Sequence, residues 1–553
     1  MARRVVKVNA KLVASAANPN SHVHAFALFA LTALAIAFVW WWLGTPVVLP
    51  PSPLAAGQKL YCVSYAPFRD GQDPLVEGTE VAPAQIDADL ALLSKYTDCV
   101  RTYSVDQGIQ KVPEIARRHG LKVLLGLWLS GDPEKNRKQI ETAVALGKKY
   151  PDTIRAIIVG NEVLLRGEMS ATDLMSTIRE VKSQVPEPVT YADVWEYWLR
   201  NPDVANAVDF VTIHILPYWE DFPLPASLAA AHVDQIRKRV AAAIPNKEIV
   251  IGEVGWPSAG RMREGARPSP SNQALVIEQT VALAQREHFR VNVIEAFNQP
   301  WKRWQEGSVG GQWGIFDRST GAPKFDLSGG AVSDHPYWPI QAVAGILLAG
   351  LMFGCGYLSA RKRPTPRILW WQITAMSFLP SVLFGWTIET VPVESFGVGG
   401  WTRSLALAAI AAVAPVVCAM AVAARRPLPT FAALLCRRGS PRDALSSAVG
   451  IGFVALFLLA MESALGLCFD PRYRDIPFAS LGAAIVPYLV LLCSTKRQAG
   501  ARAAAEIVGA CVLSASAVYI VFNETFANWQ AVWFGADLLA VALILGLARD
   551  APD

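Results

Sequence analysis

Residues 154–163 read IRAIIVGNEV, and residues 248–258 read EIVIGEVGWPS. In both stretches an apolar, β-branched run reaches a glycine and then, within two residues, a carboxylate, Glu162 in the first and Glu253 in the second. Six similar short runs lie between residues 60 and 297, with helix-like segments between them. Alternating strands and helices predict a parallel sheet, either doubly wound or closed. Eight units in about 270 residues fit a (β/α)8 TIM barrel, and this is the α/β fold that we expect.

The eight candidate strands share a short length, a β-branched or aromatic composition and a polar or aromatic end. They are Leu60–Ala66, Cys99–Tyr103, Lys122–Trp128, Ile154–Asn161, Val189–Val194, Phe210–Leu216, Glu248–Glu253 and Val291–Phe297. Active sites of TIM barrels form at the C-terminal ends of the strands. The residues that end each run are therefore the candidates for chemistry.

The composition of the whole chain does not suit a soluble enzyme. Hydrophobic residues make up 52% of the 553 residues and charged residues 18%, against a usual charged share of about 25%. This composition excludes a disordered, coiled-coil or fibrous chain. The charges are concentrated in residues 51–335, which hold 31 bases and 35 acids. The net charge of +5 comes from short basic clusters between apolar runs, so it does not indicate a nucleic-acid partner.

Long apolar runs flank the charged middle of the chain. The stretch 23–50 is long enough to cross a bilayer as an anchor; a cleaved signal peptide is the alternative, although its apolar region is usually shorter. Seven further runs predict a polytopic, all-α C-terminal membrane domain in contact with lipid. They cover about residues 338–359, 368–389, 404–423, 445–467, 477–494, 503–522 and 530–547.

The basic residues of the linkers predict the orientation of these spans. Bases are frequent in the N-terminus and in alternate loops and scarce in the others, so the positive-inside rule places both termini in the cytoplasm. The frequent set is Arg3, Arg4, Lys7, Lys11, Arg361, Lys362, Arg363, Arg367, Arg425, Arg426, Arg437, Arg438, Arg442, Lys496, Arg497 and Arg502. The predicted organisation is a cytoplasmic segment 1–22, an anchor 23–50, a periplasmic catalytic domain 51–335 and a multi-pass inner-membrane domain 336–553.

Acids inside apolar spans and a pair of cysteines are secondary candidates. Asp537, Glu462 and Glu506 lie in or near spans, where a carboxylate is either functional or held by neighbouring polar groups. Cys62 and Cys99 are the two cysteines of the middle segment and fit either a disulfide or two buried thiols. Histidines and cysteines show no metal-ligand spacing, so we expect neither a metal nor another cofactor.

Glu162 and Glu253 predict the chemistry of the barrel. Strands four and seven lie nearly opposite each other in a TIM barrel, so carboxylates at their ends can converge across the mouth. Two such groups cleave glycosides: one donates a proton to the leaving oxygen and the other attacks the anomeric carbon, and a separation of about 5–5.5 Å gives retention. Two structural carboxylates bonded to backbone or arginine are the alternative.

The same residues resemble the active-site motifs of glycoside hydrolase family 17, the retaining β-1,3-glucan-active enzymes. The similar segments, about residues 58–330, are Gly160-Asn161-Glu162-Val163-Leu164, Gly252-Glu253-Val254-Gly255-Trp256-Pro257-Ser258, Arg101-Thr102-Tyr103, Glu295-Ala296-Phe297-Asn298-Gln299-Pro300-Trp301-Lys302 and Gly314-Ile315-Phe316-Asp317. The resemblance implies Glu162 as general acid/base, Glu253 as nucleophile and Asn161 as a hydrogen-bond partner of the sugar 2-hydroxyl. Two positions depart from the family: Val254, where Thr or Ser is common, and Asn298, where Asp is common in bacterial relatives.

Aromatic residues are frequent at the predicted mouth, where sugar faces can stack on them. For each one, packing in the core is the alternative. The predicted substrate-binding residues are Asn161, Tyr65, Arg101, Tyr103, Trp128, Trp195, Tyr218, Trp256, Asn298 and Trp301, and Tyr197, Trp198, Trp219, Trp304 and Trp313 belong to the same aromatic group. We expect Tyr218 to donate an orienting hydrogen bond to Glu253, and His214 to be structural.

A retaining pair joined to membrane spans favours glycosyl transfer over degradation. The chain resembles membrane-bound bacterial β-glucan transferases, and we expect a glucanosyltransferase that elongates or branches periplasmic β-1,3-glucan, β-1,6 bonds being one option. A β-1,3-glucan hydrolase and a non-catalytic glucan-binding scaffold are the alternatives. The expected partners are a β-glucan, membrane lipid and, as one candidate, a glucan synthase.

Overall fold

The computed structural model describes residues 21–317, 320–327, 329–361, 365–435, 443–495 and 503–547. The chain forms two compact units. One is Pro46–Asp334, and the other combines Met1–Thr45 with His335–Asp553. Each unit is built around its own core, so each is described by itself.

The unit Pro46–Asp334 is a closed barrel of eight parallel strands, each bonded to the next and the last bonded to the first. We number them β1 Cys62–Ser64, β2 Cys99–Arg101, β3 Lys122–Leu127, β4 Ile154–Asn161, β5 Val189–Val194, β6 Val211–His214, β7 Ile249–Val254 and β8 Val291–Val293. The predicted fold is confirmed, with every strand inside or within one residue of its predicted run. The runs lack alternation because nearly every strand residue is buried on both faces.

Helices cover the outside of the barrel and follow the strands in turn. They are Pro83–Leu93, Val112–Arg118, Pro133–Lys149, Ala171–Lys182, Trp195–Arg200, Ala226–Ala243, Pro270–Glu287 and Arg303–Gly310. Three of them begin at a side chain that accepts a backbone N–H of the first turn: Asp132, Ser170 and Ser269. Such caps satisfy amide groups that have no partner inside the helix and so fix where each helix starts.

A disulfide and a short pair of strands link parts of this unit away from the mouth of the barrel. Cys62 and Cys99, on adjacent strands β1 and β2, form a disulfide with a Cα–Cα distance of 4.4 Å. This settles the alternative that the sequence left open. At the chain ends of the unit, Val47–Val48 pairs antiparallel with Ala331–Val332, so the barrel begins and finishes at one place.

The second unit is helical and carries the predicted apolar spans. Its long helices are Ser21–Leu43, Trp338–Ala360, Arg367–Glu394, Gly397–Ala424, Ala444–Phe469, Ala504–Glu524 and Trp529–Gly546. Within the described residues these seven are long and apolar enough to cross a membrane, as a multi-pass protein requires. The eighth predicted span is a shorter apolar helix of 17 residues, Phe478–Ser494.

The acids of the predicted spans take different environments in this unit. The Glu506 carboxylate accepts the backbone N–H of Ala503 at the start of its helix, and Glu462 pairs with Arg403 at 3.2 Å. Both therefore fit the structural alternative. Asp537 is buried, with no hydrogen-bond partner for Oδ2 among the described residues. Many of the predicted orientation signals lie outside the described residues: Arg3, Arg4, Lys7, Lys11, Lys362, Arg363, Arg437, Arg438, Arg442, Lys496, Arg497 and Arg502.

Candidate active site

Glu162 follows the last residue of β4 at the mouth of the barrel. Gly160 and Glu162 both have positive φ, +94° and +53°, so the chain turns sharply where the strand ends. A side chain at Gly160 would meet Val163 Cγ2 at 2.7 Å. The Glu162 N–H donates to the Ala192 carbonyl at 2.8 Å, which ties this turn to β5. The Glu162 side chain keeps 23% of its surface exposed, so it can reach a bound molecule.

Glu253 lies inside β7 and is almost completely buried, with 6% of its side chain exposed. The preceding Gly252 makes room for the neighbouring strand. A Cβ at that position would come within 2.4 Å of Thr212 Cγ2 and 3.1 Å of the His214 ring. The glycine before each carboxylate therefore serves a different purpose: a turn at Gly160 and a close approach of β6 at Gly252.

His214, the last residue of β6, joins the two carboxylates. Its Nδ1 is 2.7 Å from Glu162 Oε1, and its Nε2 is 3.6 Å from Glu253 Oε1. One ligand atom from each of the three residues lies within 4.8 Å of the other two. The His214 ring therefore contacts both groups of the predicted catalytic pair.

Arg101 is the buried centre of this network. Its Nη1 donates to the Gly252 carbonyl at 2.7 Å and to Glu253 Oε1 at 3.1 Å. Its Nη2 donates to Asn161 Oδ1 at 2.6 Å and faces His214 Nε2 at 3.2 Å. Arg101 is 1% exposed, and its direct contact with substrate stays a prediction. It holds Asn161 with Oδ1 as acceptor, which leaves the Nδ2 group to donate to a ligand.

The position of the protons on His214 follows from Arg101. A guanidinium only donates, so in the neutral ring Nε2 is the acceptor and Nδ1 carries the proton. The Nδ1–H then donates to Glu162 Oε1. This arrangement orients the Glu162 carboxyl from the side of Glu253.

Tyr103, not Tyr218, donates to Glu253. The Tyr103 hydroxyl lies 2.8 Å from Glu253 Oε1, two residues beyond β2. Burial, and then the charge of Glu253, raise the pKa of Tyr103 well above its usual value, so the hydroxyl keeps its proton. Tyr218 is fully buried and donates its proton to the Arg261 carbonyl. The predicted hydrogen bond from Tyr218 to Glu253 is therefore wrong, whereas the predicted contact of Tyr218 with substrate stays a prediction.

The surroundings of Glu253 favour its ionised form. Burial acts to raise the pKa of Glu253, but His214, Arg101 and Lys302, in that order, together with the Tyr103 hydrogen bond, outweigh it and lower that pKa. Among the described residues, Arg101 and Tyr103 donate to this carboxylate, and both reach Oε1. Oε2 is therefore the oxygen left for other chemistry.

A second buried charge group, which the sequence reasoning did not identify, lies beside the pair. Lys302 donates to Glu295 Oε2 at 3.1 Å, and both residues are largely buried. Burial raises the pKa of Glu306 to about 7, and the charges of Glu295, Glu162 and Glu253 add to this effect while Lys302 opposes it. Glu295 and Lys302 stand in a motif quoted from the sequence, whereas no sequence signal singled out Glu306.

The predicted aromatic groove divides into core and surface residues. Tyr65 and Trp256 are buried, and their polar atoms donate to Asp89 Oδ2 and the Arg267 carbonyl. Their contact with substrate stays a prediction. Trp198 and Trp313 are buried as well. Trp128, Trp195, Trp301 and Trp304 keep exposed surface and remain available for stacking. The Arg166 guanidinium lies 4.3 Å from the centre of the Trp128 ring and supports it from one side.

Asn298 is held by a buried amine. Its Oδ1 accepts from Lys324 Nζ at 2.9 Å and from the Gly314 N–H at 3.0 Å, while its Nδ2 donates to Gln312 Oε1 at 2.9 Å. Lys324 also donates to Ser258 Oγ at 2.9 Å, which is another neutral acceptor. Burial lowers the pKa of Lys324 to about 7, although the charges of Asp317 and Glu295 oppose the shift.

The Glu162, His214 and Glu253 cluster has the ligand types of a metal site, but its electrostatics do not favour a cation. The Arg101 guanidinium lies within 3.2 Å of both His214 Nε2 and Glu253 Oε1. A metal ion bound there would meet a fixed positive charge at close range, in a site of low solvent access. The same arrangement instead suits acid and nucleophile chemistry on an uncharged ligand.

Comparison with known proteins finds relatives of the barrel. Residues 62–314 match the family model described as the BtgE/BtgC glycoside hydrolase domain. The chain is 24% identical over 266 residues to a glucan 1,3-beta-glucosidase of Saccharomyces cerevisiae and 27% identical over 271 residues to the "Probable beta-glucosidase btgE" of Aspergillus flavus.

These relatives match only the barrel half of the chain. The yeast alignment covers 44% of this chain and 85% of the relative, and the Aspergillus alignment covers 48% and 43%. This chain thus spans less than half the length of the Aspergillus protein. Among solved structures, the family 17 beta-1,3-glucanosyltransferase of Rhizomucor miehei is similar at 23% identity with a TM-score of 0.44, covering 49% of this chain and 98% of that one.

Proposed function

We propose that the barrel is a retaining β-1,3-glucan-active glucanosyltransferase that elongates or branches periplasmic β-glucan, with β-1,6 branching as one outcome. The observation that carries the proposal is the convergence of Glu162 and Glu253 at the mouth, with one oxygen of each within 4.8 Å of the other. Inverting glycosidases hold their carboxyl groups about 6.5–9.5 Å apart to admit a water, whereas retaining ones hold them about 5–5.5 Å apart. The names of the curated relatives support β-1,3-glucan as the substrate.

The first half of the reaction transfers a glucosyl unit to the protein. Glu253, kept ionised by its neighbours, attacks the anomeric carbon with Oε2, while the glycosidic bond breaks and Glu162 donates its proton to the departing oxygen. The partial exposure of Glu162 suits a group that must meet the leaving sugar, and the burial of Glu253 suits a nucleophile shielded from water. The Asn161 amide, fixed by Arg101, is placed to donate to the sugar 2-hydroxyl.

The second half of the reaction decides between transfer and hydrolysis. Glu162, now a carboxylate, accepts a proton from the incoming hydroxyl, whose oxygen displaces Glu253 and restores the β configuration. A sugar hydroxyl gives a longer or branched glucan, and water gives hydrolysis. The helical unit supports transfer, because an enzyme held at the membrane meets glucan where it is made, while a degradative enzyme gains little from eight apolar helices.

The topology proposed for this reaction has the barrel outside the cytoplasm and both termini inside. The distribution of basic residues in the sequence supports it. The disulfide between Cys62 and Cys99 supports it independently, since such bonds form and persist in oxidising compartments. Reporter domains fused at the C-terminus and inserted after Thr45 should report opposite sides of the membrane, and reports of the same side would overturn the topology.

Product analysis tests the reaction. The full chain in detergent or lipid nanodiscs is incubated with defined laminari-oligosaccharides, and products are separated by size and by linkage. Products longer than the input support transfer, whereas only shorter sugars would establish the hydrolase instead. Glu253→Ala should abolish both transfer and hydrolysis, and Leu228→Ala, a change at an exposed side chain of the helix Ala226–Ala243, serves as the control. A Glu253→Ala variant with wild-type turnover would leave the non-catalytic scaffold as the remaining explanation.

A further inference from the structure

Beneath the mouth of the barrel, a line of buried polar side chains leads from β8 to Glu253. The line begins at Asn292 in β8, continues through Ser64 at the end of β1 and Tyr103 beyond β2, and ends at Glu253. Asn292 and Ser64 are 0% exposed, so neither can touch a bound sugar. Neither residue carries an assigned role in the proposed reaction, and burial of two polar side chains inside a barrel is costly unless they are fully bonded.

The direction of each hydrogen bond in this line is fixed by which atoms can donate. Asn292 Nδ2 donates to Ser64 Oγ at 2.8 Å and to the Gly252 carbonyl at 2.7 Å, and a carbonyl oxygen can only accept. The amide is therefore oriented with both N–H groups used. Tyr103 lies 2.8 Å from both Ser64 Oγ and Glu253 Oε1. An ionised carboxylate can only accept, so the tyrosine proton points to Glu253 and the Ser64 proton points to Tyr103.

We propose that Asn292 and Ser64 are positioning residues for the nucleophile, acting through a one-way relay from Asn292 to Ser64 to Tyr103 to Glu253 Oε1. This inference rests on the proposed function, because it assumes that Glu253 attacks the sugar. The relay keeps the Tyr103 hydroxyl from turning away from the carboxylate. It thereby occupies Oε1, keeps the carboxylate ionised and leaves Oε2 as the attacking atom.

The same asparagine also supports the second donor to Glu253. The Gly252 carbonyl accepts from both Asn292 Nδ2 and Arg101 Nη1, each at 2.7 Å. Arg101 Nε and Asn292 Oδ1 are both buried and find no partner among the described residues. Both residues are among those that line a cavity of about 10 Å³. That volume suits one water molecule, which would accept from Arg101 and donate to Asn292. Asn292 thus connects both groups that bind Oε1.

The test measures the nucleophile alone. The full chain is treated with a 2-fluoro sugar carrying a dinitrophenolate leaving group, and covalent labelling is followed by intact mass against pH. Such a leaving group departs without protonation, so the rate depends on Glu253 and not on Glu162. Wild-type protein should be labelled and Glu253→Ala should not; if this first comparison fails, the proposed function fails before the relay is tested.

Ser64→Ala then tests the relay. Loss of one link should slow labelling about tenfold and move the acidic limb of the pH profile upward, because a less stabilised carboxylate takes up a proton at higher pH. Asn292→Ala should move the limb in the same direction. Thr97→Val is the matched control, since Thr97 is an equally buried hydroxyl that bonds to the Leu60 and Cys99 carbonyls and to the Cys99 N–H, away from Glu253. It should leave the limb where it is.

A double substitution separates positioning from simple loss of packing. Tyr103→Phe removes the relay's final donor, so adding Ser64→Ala to it should have little further effect on the limb. Additive shifts, or a Ser64→Ala limb identical to that of the wild type with a labelling rate within twofold, would overturn the relay. A limb shift caused by Thr97→Val would do the same.

Discussion

Asn298→Asp should change the pH dependence of stability through Lys324. The Lys324 amine has two neutral acceptors, Asn298 Oδ1 and Ser258 Oγ, both at 2.9 Å. Burial lowers its pKa to about 7. In the unfolded chain the amine titrates near 10.4, so between pH 7 and that value the unfolded chain holds more protons than the folded one. Stability therefore rises with pH across this window.

The magnitude follows from the two pKa values. At about 1.36 kcal/mol per unit of pH, the wild-type protein should gain roughly 2 kcal/mol between pH 7 and pH 9 from this one group. A carboxylate at position 298 would lie about 2.9 Å from the ammonium and hold it charged in the folded state. The pH dependence of the unfolding free energy that comes from Lys324 should then disappear. The cost of burying the new carboxylate lowers the stability by the same amount at every pH.

The assay compares the unfolding midpoints of the two proteins by tryptophan fluorescence at pH 7, 8 and 9. The variant-minus-wild-type difference should fall by about 2 kcal/mol over this range, or about 4 °C for a domain of this size. Other titrating groups cancel because both proteins contain them. Ser258→Ala removes an acceptor without adding charge and should keep the wild-type slope. A difference that stays constant with pH would refute the assigned titration of Lys324.

Three further predictions follow from the site and the barrel. Glu162→Gln should nearly abolish action on oligosaccharides yet spare the glycosylation step with a dinitrophenyl glycoside, as burst kinetics would show; equal loss on both would contradict an acid role. Arg101→Lys keeps the charge but cannot donate to both Glu253 and Asn161, so kcat/KM should fall about 100-fold or more. Turnover equal to that of the wild type would show that Glu253 does not need these contacts. Replacing Cys62 and Cys99 together with alanine opens a link across 37 residues and should cost about 4 kcal/mol, measured as a lower midpoint; a midpoint equal to wild type would contradict this.

The sequence was sufficient for the barrel because its signals are local. Runs such as Ile154–Asn161 are apolar on both faces and stop at glycine, and this pattern depends only on the strand itself. The two carboxylates could be found for the same reason, since each follows directly from a strand end. Helix lengths in the second unit were equally readable from hydropathy.

Side-chain partners could not be read in this way, because they depend on where loops and neighbouring strands place each group. Tyr218 and Trp256 stand at strand ends as expected, but the loops turn them into a small core above the barrel. Arg101 and His214 point inward instead and meet Glu253 from two other strands. A strand-end motif looks the same in the sequence whether its side chain packs among the loops or points into the barrel. Only the packed structure distinguishes these two outcomes.

Because Val47–Val48 pairs with Ala331–Val332, the chain enters and leaves the barrel at one place, and the barrel is an insertion between two helices. The helices just before and just after it, Ser21–Leu43 and Trp338–Ala360, contact each other within the helical unit. A hairpin turn could therefore replace nearly three hundred residues without separating those two helices. A module joined in this manner can be exchanged, lost or gained as one piece, while the helices beside it keep their own packing.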